Sequence, residues 1–103
     1  MKPVILRLAK NDLKEIHIRL SEYGKTPPKK FRDSFITFCT NVTSMPLMYP
    51  KYEYNSKYHK AMIEYDYLVF YMVEKVSDND RVRIFRVLHG KRDIIPLLDS
   101  SDE

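Results

Sequence analysis

The fold is decided by residues 58–89, which read YHKAMIEYDYLVFYMVEKVSDNDRVRIFRVLH. This segment contains three stretches rich in β-branched and aromatic side chains, which is typical of strands. A tight turn near Asp66 and a polar turn at residues 77–80 separate them. The segment therefore predicts three consecutive antiparallel strands, joined by short connections, over residues 58–65, 67–74 and 81–89.

Two amphipathic helices are predicted before this sheet. The first begins at Asn11 or Asp12, both of which are good N-caps, and Asp12 has capping-box spacing to Glu15. It ends at Gly24. The second begins at Thr26, before two prolines that a first helical turn tolerates, and ends at Pro46. Apolar side chains recur at helical spacing in both, at Leu13, Ile16, Leu20 and Tyr23 and then at Phe31, Phe35, Phe38, Val42 and Met45.

The complete element order is βααβββ, because a short strand over residues 3–8 precedes the helices. We expect an α+β fold in which the N-terminal helical hairpin packs on one face of a small antiparallel sheet. Residues 46–57 form a loop and residues 94–98 a short apolar closing segment in this prediction. A chain of 103 residues suffices for one domain. We assign that domain to residues 1–98 and expect the acidic residues 99–103 to fray.

The body of the chain is basic. The sequence has 18 Lys and Arg against 14 Asp and Glu, a net charge of +4. Three of those acids lie in residues 99–103, so residues 1–98 carry a charge of +7. Such a surface suits a nucleic acid or an acidic protein partner, although charge also keeps a small domain soluble.

Several classes of protein are excluded. The longest apolar run, residues 67–73, is far too short to span a membrane. The single cysteine, Cys39, excludes an intrachain disulfide and a zinc site built from cysteines. The histidines lack the spacing of a metal site, and no glycine-rich phosphate-binding loop is present. We therefore expect no membrane contact, no metal and no cofactor, and we place the protein in the cytoplasm.

Cationic side chains interleaved with tyrosines are the most distinctive chemical feature. They are Lys51, Lys57, His59 and Lys60 among Tyr49, Tyr52, Tyr54 and Tyr58, followed by Arg81, Arg83, Arg86, His89, Lys91 and Arg92. Such side chains can bind phosphates and stack on bases. Cross-strand tyrosines and solvated arginines are, however, also ordinary features of a sheet.

Arg83 and Arg86 are separated by an odd number of residues, so regular alternation places them on opposite faces of the sheet. One of them then lies towards the helices or at a sheet edge. In that position it needs an acidic partner, such as Asp33 or Glu64.

The element order and the C-terminal residues together resemble the RelE/ParE superfamily, the toxins of bacterial type II toxin–antitoxin systems. The most specific stretch is residues 84–93, IFRVLHGKRD, which looks like the ParE-side ending RVLHGxRD. Asp12-Leu13 with Glu15-Ile16 and the strand YLVFY at residues 67–71 also match the family pattern.

The ParE branch implies a toxin that inhibits DNA gyrase in the bacterial cytoplasm without catalysing a reaction. The resemblance then implies that His89, Lys91, Arg92 and Asp93 form the surface that contacts the target. The chain departs from the family where His59-Lys60 replaces the usual arginine before the third strand. It departs again at Met72, where an arginine often follows Phe-Tyr.

The RelE branch implies an endonuclease that cleaves messenger RNA on the ribosome. In that alternative His89 is the general base or acid, and Lys57, Lys60, Arg83 and Arg86 supply positive charge to the phosphate. The C-terminal tyrosine common in that branch is absent, since no tyrosine follows Tyr71. A third alternative is a degenerate member that only binds its antitoxin and represses their operon with it.

Each of these alternatives implies a small acidic antitoxin that binds the toxin in a hetero-oligomer. Aromatic and methionine side chains are enriched at such interfaces. We therefore expect the antitoxin to contact Tyr71 and Met72 on the open face of the sheet, together with Tyr54 and Tyr58.

Overall fold

The computed structural model describes residues 2–99. A short strand leads into two long helices, and the rest of the chain forms strands and a closing helix. The elements are β1 (Val4–Ile5), α1 (Arg7–Ser21), α2 (Thr26–Ser44), β2 (Lys51–Tyr52), β3 (Asn55–Ile63), β4 (Tyr67–Val76), β5 (Asn79–His89) and α3 (Ile94–Leu98).

The predicted α+β fold, with the helices packed against the sheet, is confirmed, but the sheet is mixed rather than purely antiparallel. Its five strands run in the order β1-β5-β4-β3-β2. β1 pairs with β5 in parallel, and the other neighbouring strands are antiparallel. This parallel pairing is possible because the helical hairpin and three further strands separate β1 from β5, and parallel strands need a long connection.

The strands extend beyond the predicted bounds at the turns. β4 and β5 pair as far as Val76 and Asn79, and Ser77 and Asp78 both have positive φ angles, 51° and 71°. A two-residue hairpin turn of this kind matches the twist of the flanking strands. The predicted loop at residues 46–57 also contributes β2 and the first residues of β3.

The predicted start of the first helix is wrong, whereas the second helix begins at Thr26 as predicted. α1 begins at Arg7, directly after the N-cap residue Leu6, so Asp12 lies inside the helix rather than at its cap. Lys25, not Thr26, is the N-cap of α2, and a proline occupies its first turn. Gly24 has a φ of 109° and follows α1, in accord with the predicted end of that helix.

The sheet has an apolar layer on each face. The helical hairpin packs on the first face through a core that includes Phe38 and Tyr71. On the second face, the predicted apolar closing segment is the helix α3, whose Ile94 and Leu98 are buried with Phe85. Asp99 is the C-cap of α3, and residues 100–103 of the predicted tail lie outside the described residues.

None of the helices within residues 2–99 has the length and apolar composition that a membrane span requires. Within the same residues, no group of three or more His, Cys, Asp and Glu side chains is arranged to hold a metal ion.

Candidate target-binding site

Arg86 is held in a nearly buried ion pair with Asp12 of α1. The Asp12 carboxylate accepts hydrogen bonds from Nε of Arg86 at 2.8 Å and from Nη2 at 2.9 Å. Only 11% of the Arg86 side chain and 7% of the Asp12 side chain are exposed. The hydrogen bond to Asp12 raises the pKa of Arg86 above its ordinary value. The predicted need for an acidic partner is met by Asp12, not by Asp33 or Glu64.

The same carboxylate completes the edge of the sheet. β1 covers β5 for only two residues, and the chain then turns into α1. Asp12 Oδ2 accepts a hydrogen bond from the backbone N–H of Val87 at 3.0 Å, beyond the part of β5 that β1 covers. Asp12 therefore fixes the last part of β5, which leads directly to His89.

A β-bulge changes the predicted placement of the arginines. Ile84 lies opposite Tyr71 and Arg86 opposite Phe70, so Phe85 is the additional residue. Because of this insertion, Arg83 pairs with Met72 and Arg86 pairs with Phe70. Met72 and Phe70 both lie on the face that α3 covers, so the two arginines lie on that face as well. The prediction that they face opposite sides is therefore wrong.

Three further cations of the sheet already have partners. Arg83 lies 3.6 Å from the Glu74 carboxylate. The ammonium groups of Lys57 and Lys60 lie over the rings of Tyr58 and Tyr52, at 5.6 and 5.4 Å from their centroids.

His89 lies on the other face of the sheet, next to the helical hairpin. It is opposite Tyr67 in β4, and the two rings meet edge to face with centroids 5.0 Å apart. Tyr67 in turn packs against Phe31 of α2 at 5.2 Å. The structure thus does not bring His89 together with Lys57, Lys60 and Arg83, the cations that the nuclease alternative requires.

The residues directly after β5 are exposed, and they begin beside the half-buried His89. Nδ1 of His89 accepts a hydrogen bond from the backbone N–H of Lys91 at 3.2 Å. Lys91, Arg92 and Asp93 are all exposed. The N–H of Gly90 donates to the Asp66 carbonyl at 2.9 Å, which fastens this turn to the β3–β4 connection. A Cβ at Gly90 would lie 3.3 Å from that carbonyl oxygen, so the close approach favours glycine.

A cleft opens beside His89, between the helical hairpin and the end of the sheet. Its volume is about 370 Å³, and its lining includes Arg19, Tyr23, Pro27, Tyr65, Tyr67 and His89. A small cavity of about 30 Å³ adjoins it and is lined by Asp12, Glu15 and Arg92 among others. Arg19, Tyr67 and His89 line both cavities.

Of the cleft residues, only His89 is a site residue predicted from the sequence, and Arg19, Tyr23 and Tyr65 are among those that the sequence does not identify. Tyr23 was included in the buried stripe of the first helix, but it lies beyond the end of α1 and is 75% exposed. Arg19 and Tyr65 belong to no motif in the sequence. Their place in the cleft depends on how α1 and the β3–β4 connection meet, and no local pattern shows that.

The residues expected to contact the antitoxin do not share one surface. Tyr71 is completely buried beneath the helices, and its hydroxyl donates to the Pro46 carbonyl at 3.0 Å. Tyr58 is buried beneath α3, and its hydroxyl donates to the Leu98 carbonyl at 3.3 Å. The expectation that Tyr71 lies on an open face is wrong, because it alternates with its neighbour Met72.

Two expected antitoxin contacts remain accessible. Met72 is partly buried on the α3 face of the sheet, and Tyr54 is 64% exposed. An antitoxin that binds the protein in this conformation can reach these two side chains but not Tyr58 or Tyr71.

Comparison with known proteins gives two matches. The model of a family described as "ParE toxin of type II toxin-antitoxin system, parDE" matches residues 4–94. Among solved structures, the chain is similar to the YoeB/ParE toxin from Agrobacterium tumefaciens, with a TM-score of 0.62. That match has 13% sequence identity and covers 86% of this chain and 98% of that chain, so it shows the fold. A search of curated proteins found no match.

Proposed function

Because the chain belongs to the ParE toxin family of type II toxin–antitoxin systems, we propose that it inhibits DNA gyrase by binding to it. The family implies an antitoxin partner. In this proposal the antitoxin is a small acidic protein that neutralises the basic toxin in a hetero-oligomer, and both act in the bacterial cytoplasm.

The observation that carries the proposal is the separation of His89 from the cations of the sheet. Cleavage of RNA needs a base, an acid and positive charge around one phosphate. In this chain, His89 lies on the helix face, whereas Lys60 and Arg83 lie on the α3 face. Arg86 is already engaged by Asp12. A binding surface needs no such convergence, so the arrangement favours inhibition by contact.

The proposed contact surface consists of His89, Lys91, Arg92 and Asp93. The ion pair between Asp12 and Arg86 holds the end of β5, and the hydrogen bond from Gly90 to Asp66 holds the turn after it. The surface is therefore ordered before binding, which lowers the entropy lost on association.

The test is a plasmid cleavage assay with purified toxin, gyrase and ATP. The proposal predicts linear DNA that is covalently trapped on gyrase and increases with toxin concentration. Replacing Lys91 and Arg92 together by alanine should lower this yield, whereas Lys75→Ala at the distant hairpin is the matched control. No linear DNA from folded toxin and active gyrase would refute the proposal. Cleavage of ribosome-bound messenger RNA would then favour the nuclease alternative.

A toxin inactive in both assays that still bound an antitoxin would match the degenerate alternative. The variants Tyr54→Ala and Met72→Ala test antitoxin binding separately, because both side chains are accessible. Unchanged neutralisation by the antitoxin with both variants would exclude this part of the sheet as its binding surface.

A further inference from the structure

Tyr65 has a backbone conformation that a bulky side chain rarely adopts. It lies in the short turn Glu64–Asp66 between β3 and β4, with φ 62° and ψ 30°. Asp66 follows with a φ of 62° as well. Aspartate tolerates this left-handed region, but for a bulky residue it is a strained outlier. Glycine would adopt the same turn without strain.

The strained turn places the Tyr65 ring at the wall of the cleft beside His89. Tyr67 and Pro27 line the cleft with it, and the exposed ring of Tyr23 stands at its side. Pockets of this kind, with aromatic walls and an open side, accept single anchoring side chains at protein interfaces. Its volume of about 370 Å³ is large enough for one such side chain.

The polar groups of the cleft are positive or neutral. Arg19 and His89 line it, and no carboxylate does so among the described residues. Within residues 2–99, Arg19, Lys91 and Arg92 form no ion pair. The cleft and its rim therefore offer unpaired positive charge next to an apolar wall.

We infer that this cleft is the anchoring pocket of the target contact. It binds an aromatic or aliphatic side chain of gyrase. An acidic residue of gyrase next to that side chain forms an ion pair with Arg19. The inference rests on the proposed function and deepens it, because His89 belongs both to the cleft and to the proposed contact surface. Tyr65 is then a residue that determines affinity for the target.

A protein segment fits the surroundings better than a nucleic acid does. A nucleic acid strand needs a continuous basic track for successive phosphates. Here Glu15 lines the adjoining cavity, and Asp66 and Asp93 lie in the two turns next to the cleft. These carboxylates interrupt such a track, whereas one acidic side chain needs only Arg19.

The experiment compares two pairs of variants in the gyrase cleavage assay. Tyr65→Gly removes the ring and relieves the strained backbone, and Asp66→Gly is its matched control in the same turn. Tyr23→Ala removes an exposed ring of the cleft, and Ile36→Ala removes an exposed apolar side chain of α2 to which no role is assigned. Because Tyr23 is mostly exposed, its variant keeps the test valid even if Tyr65→Gly folds poorly. Circular dichroism checks that each variant is folded.

The inference predicts that Tyr65→Gly and Tyr23→Ala raise the toxin concentration for half-maximal cleavage by about tenfold or more. The two control variants should stay within about twofold of the wild type. Equal potency of Tyr23→Ala and the wild type would overturn the inference and leave the proposed function intact. Absence of cleavage by the wild type would instead overturn both. If the wild type binds a fluorescent single-stranded DNA and Tyr23→Ala does not, the cleft binds nucleic acid. That result would overturn the inference that a protein side chain occupies the cleft.

Discussion

The Asp12 carboxylate joins α1 to the end of β5 through Arg86. It accepts two hydrogen bonds from the guanidinium, at 2.8 and 2.9 Å, and one from the N–H of Val87 at 3.0 Å. Nη1 of Arg86 also reaches the Leu97 carbonyl of α3 at 3.5 Å. One ion pair thus connects the hairpin, the edge of the sheet and the closing helix.

Removing the carboxylate should destabilise the protein strongly. Asp12→Ala leaves a nearly buried guanidinium and a backbone N–H without their partner, so we expect a loss of about 3–5 kcal/mol in the free energy of unfolding. Urea denaturation measures this loss. The control is Asp80→Ala, which breaks the exposed pair between Lys75 and Asp80 and should change stability by less than about 1 kcal/mol. A similar small change for Asp12→Ala would contradict the structural role given to this pair.

The closing helix α3, which comes directly after the proposed contact surface in the chain, should contribute to the stability of the fold. Leu98 is 2% exposed, whereas Ile95 of the same helix is 48% exposed. We expect Leu98→Ala to lower the free energy of unfolding by about 2–5 kcal/mol and Ile95→Ala to change it far less. Thermal unfolding distinguishes them, and equal effects would show that α3 does not pack as described.

Truncation after Gly90 has a consequence for assays of toxicity. Such a deletion removes Ile94 and Leu98, and both are buried on the α3 face. Loss of toxicity by a protein that lacks residues 91–103 therefore does not separate contact from folding. Alanine at the exposed residues Lys91 and Arg92 does separate them, because we expect the double variant to unfold at the wild-type temperature.

Cys39 should be chemically inert in the folded protein. Burial raises the pKa of its thiol to about 11, so very little thiolate is present near neutral pH. We expect alkylation by iodoacetamide at pH 8 to be about a hundredfold slower in the native protein than in urea. Equal rates in the two conditions would contradict this environment.

Tyr71 should make stability depend on pH in the alkaline range. Burial raises the pKa of its hydroxyl from 10.0 to about 12. The unfolded chain ionises first as the pH rises, so this contribution to stability is complete below pH 10 and is lost between about pH 10 and 12. Tyr71→Phe should have a flatter profile there and about 1 kcal/mol less stability at neutral pH, since it lacks the hydrogen bond to Pro46.

Denaturation of wild type and Tyr71→Phe at a series of pH values checks this profile. The matched control is Tyr54→Phe, which removes a hydroxyl from an exposed ring. Parallel profiles for wild type and Tyr71→Phe would show that Tyr71 does not cause the alkaline loss.

The apolar periodicity of the sequence predicts the helices and the main strands, because those elements bury one side. Two long-range features could not be predicted from it. Asp12 looks like a helix cap, and only the shortness of β1 makes it a partner of β5. The bulge at Phe85 depends on pairing with β4 and places Arg83 and Arg86 on the same face of the sheet. The cleft beside His89 likewise needs the hairpin and the sheet end together, so the sequence alone identified only His89.

The most direct measurement adds wild-type toxin, in parallel, to gyrase with plasmid and to ribosomes with messenger RNA. The proposed function predicts linear plasmid DNA trapped on gyrase and intact messenger RNA. It also predicts that Lys91→Ala with Arg92→Ala weakens the trapping while the protein remains folded. The contradicting result is that the wild-type toxin cleaves messenger RNA and leaves the plasmid uncut, while the His89→Ala variant leaves messenger RNA intact.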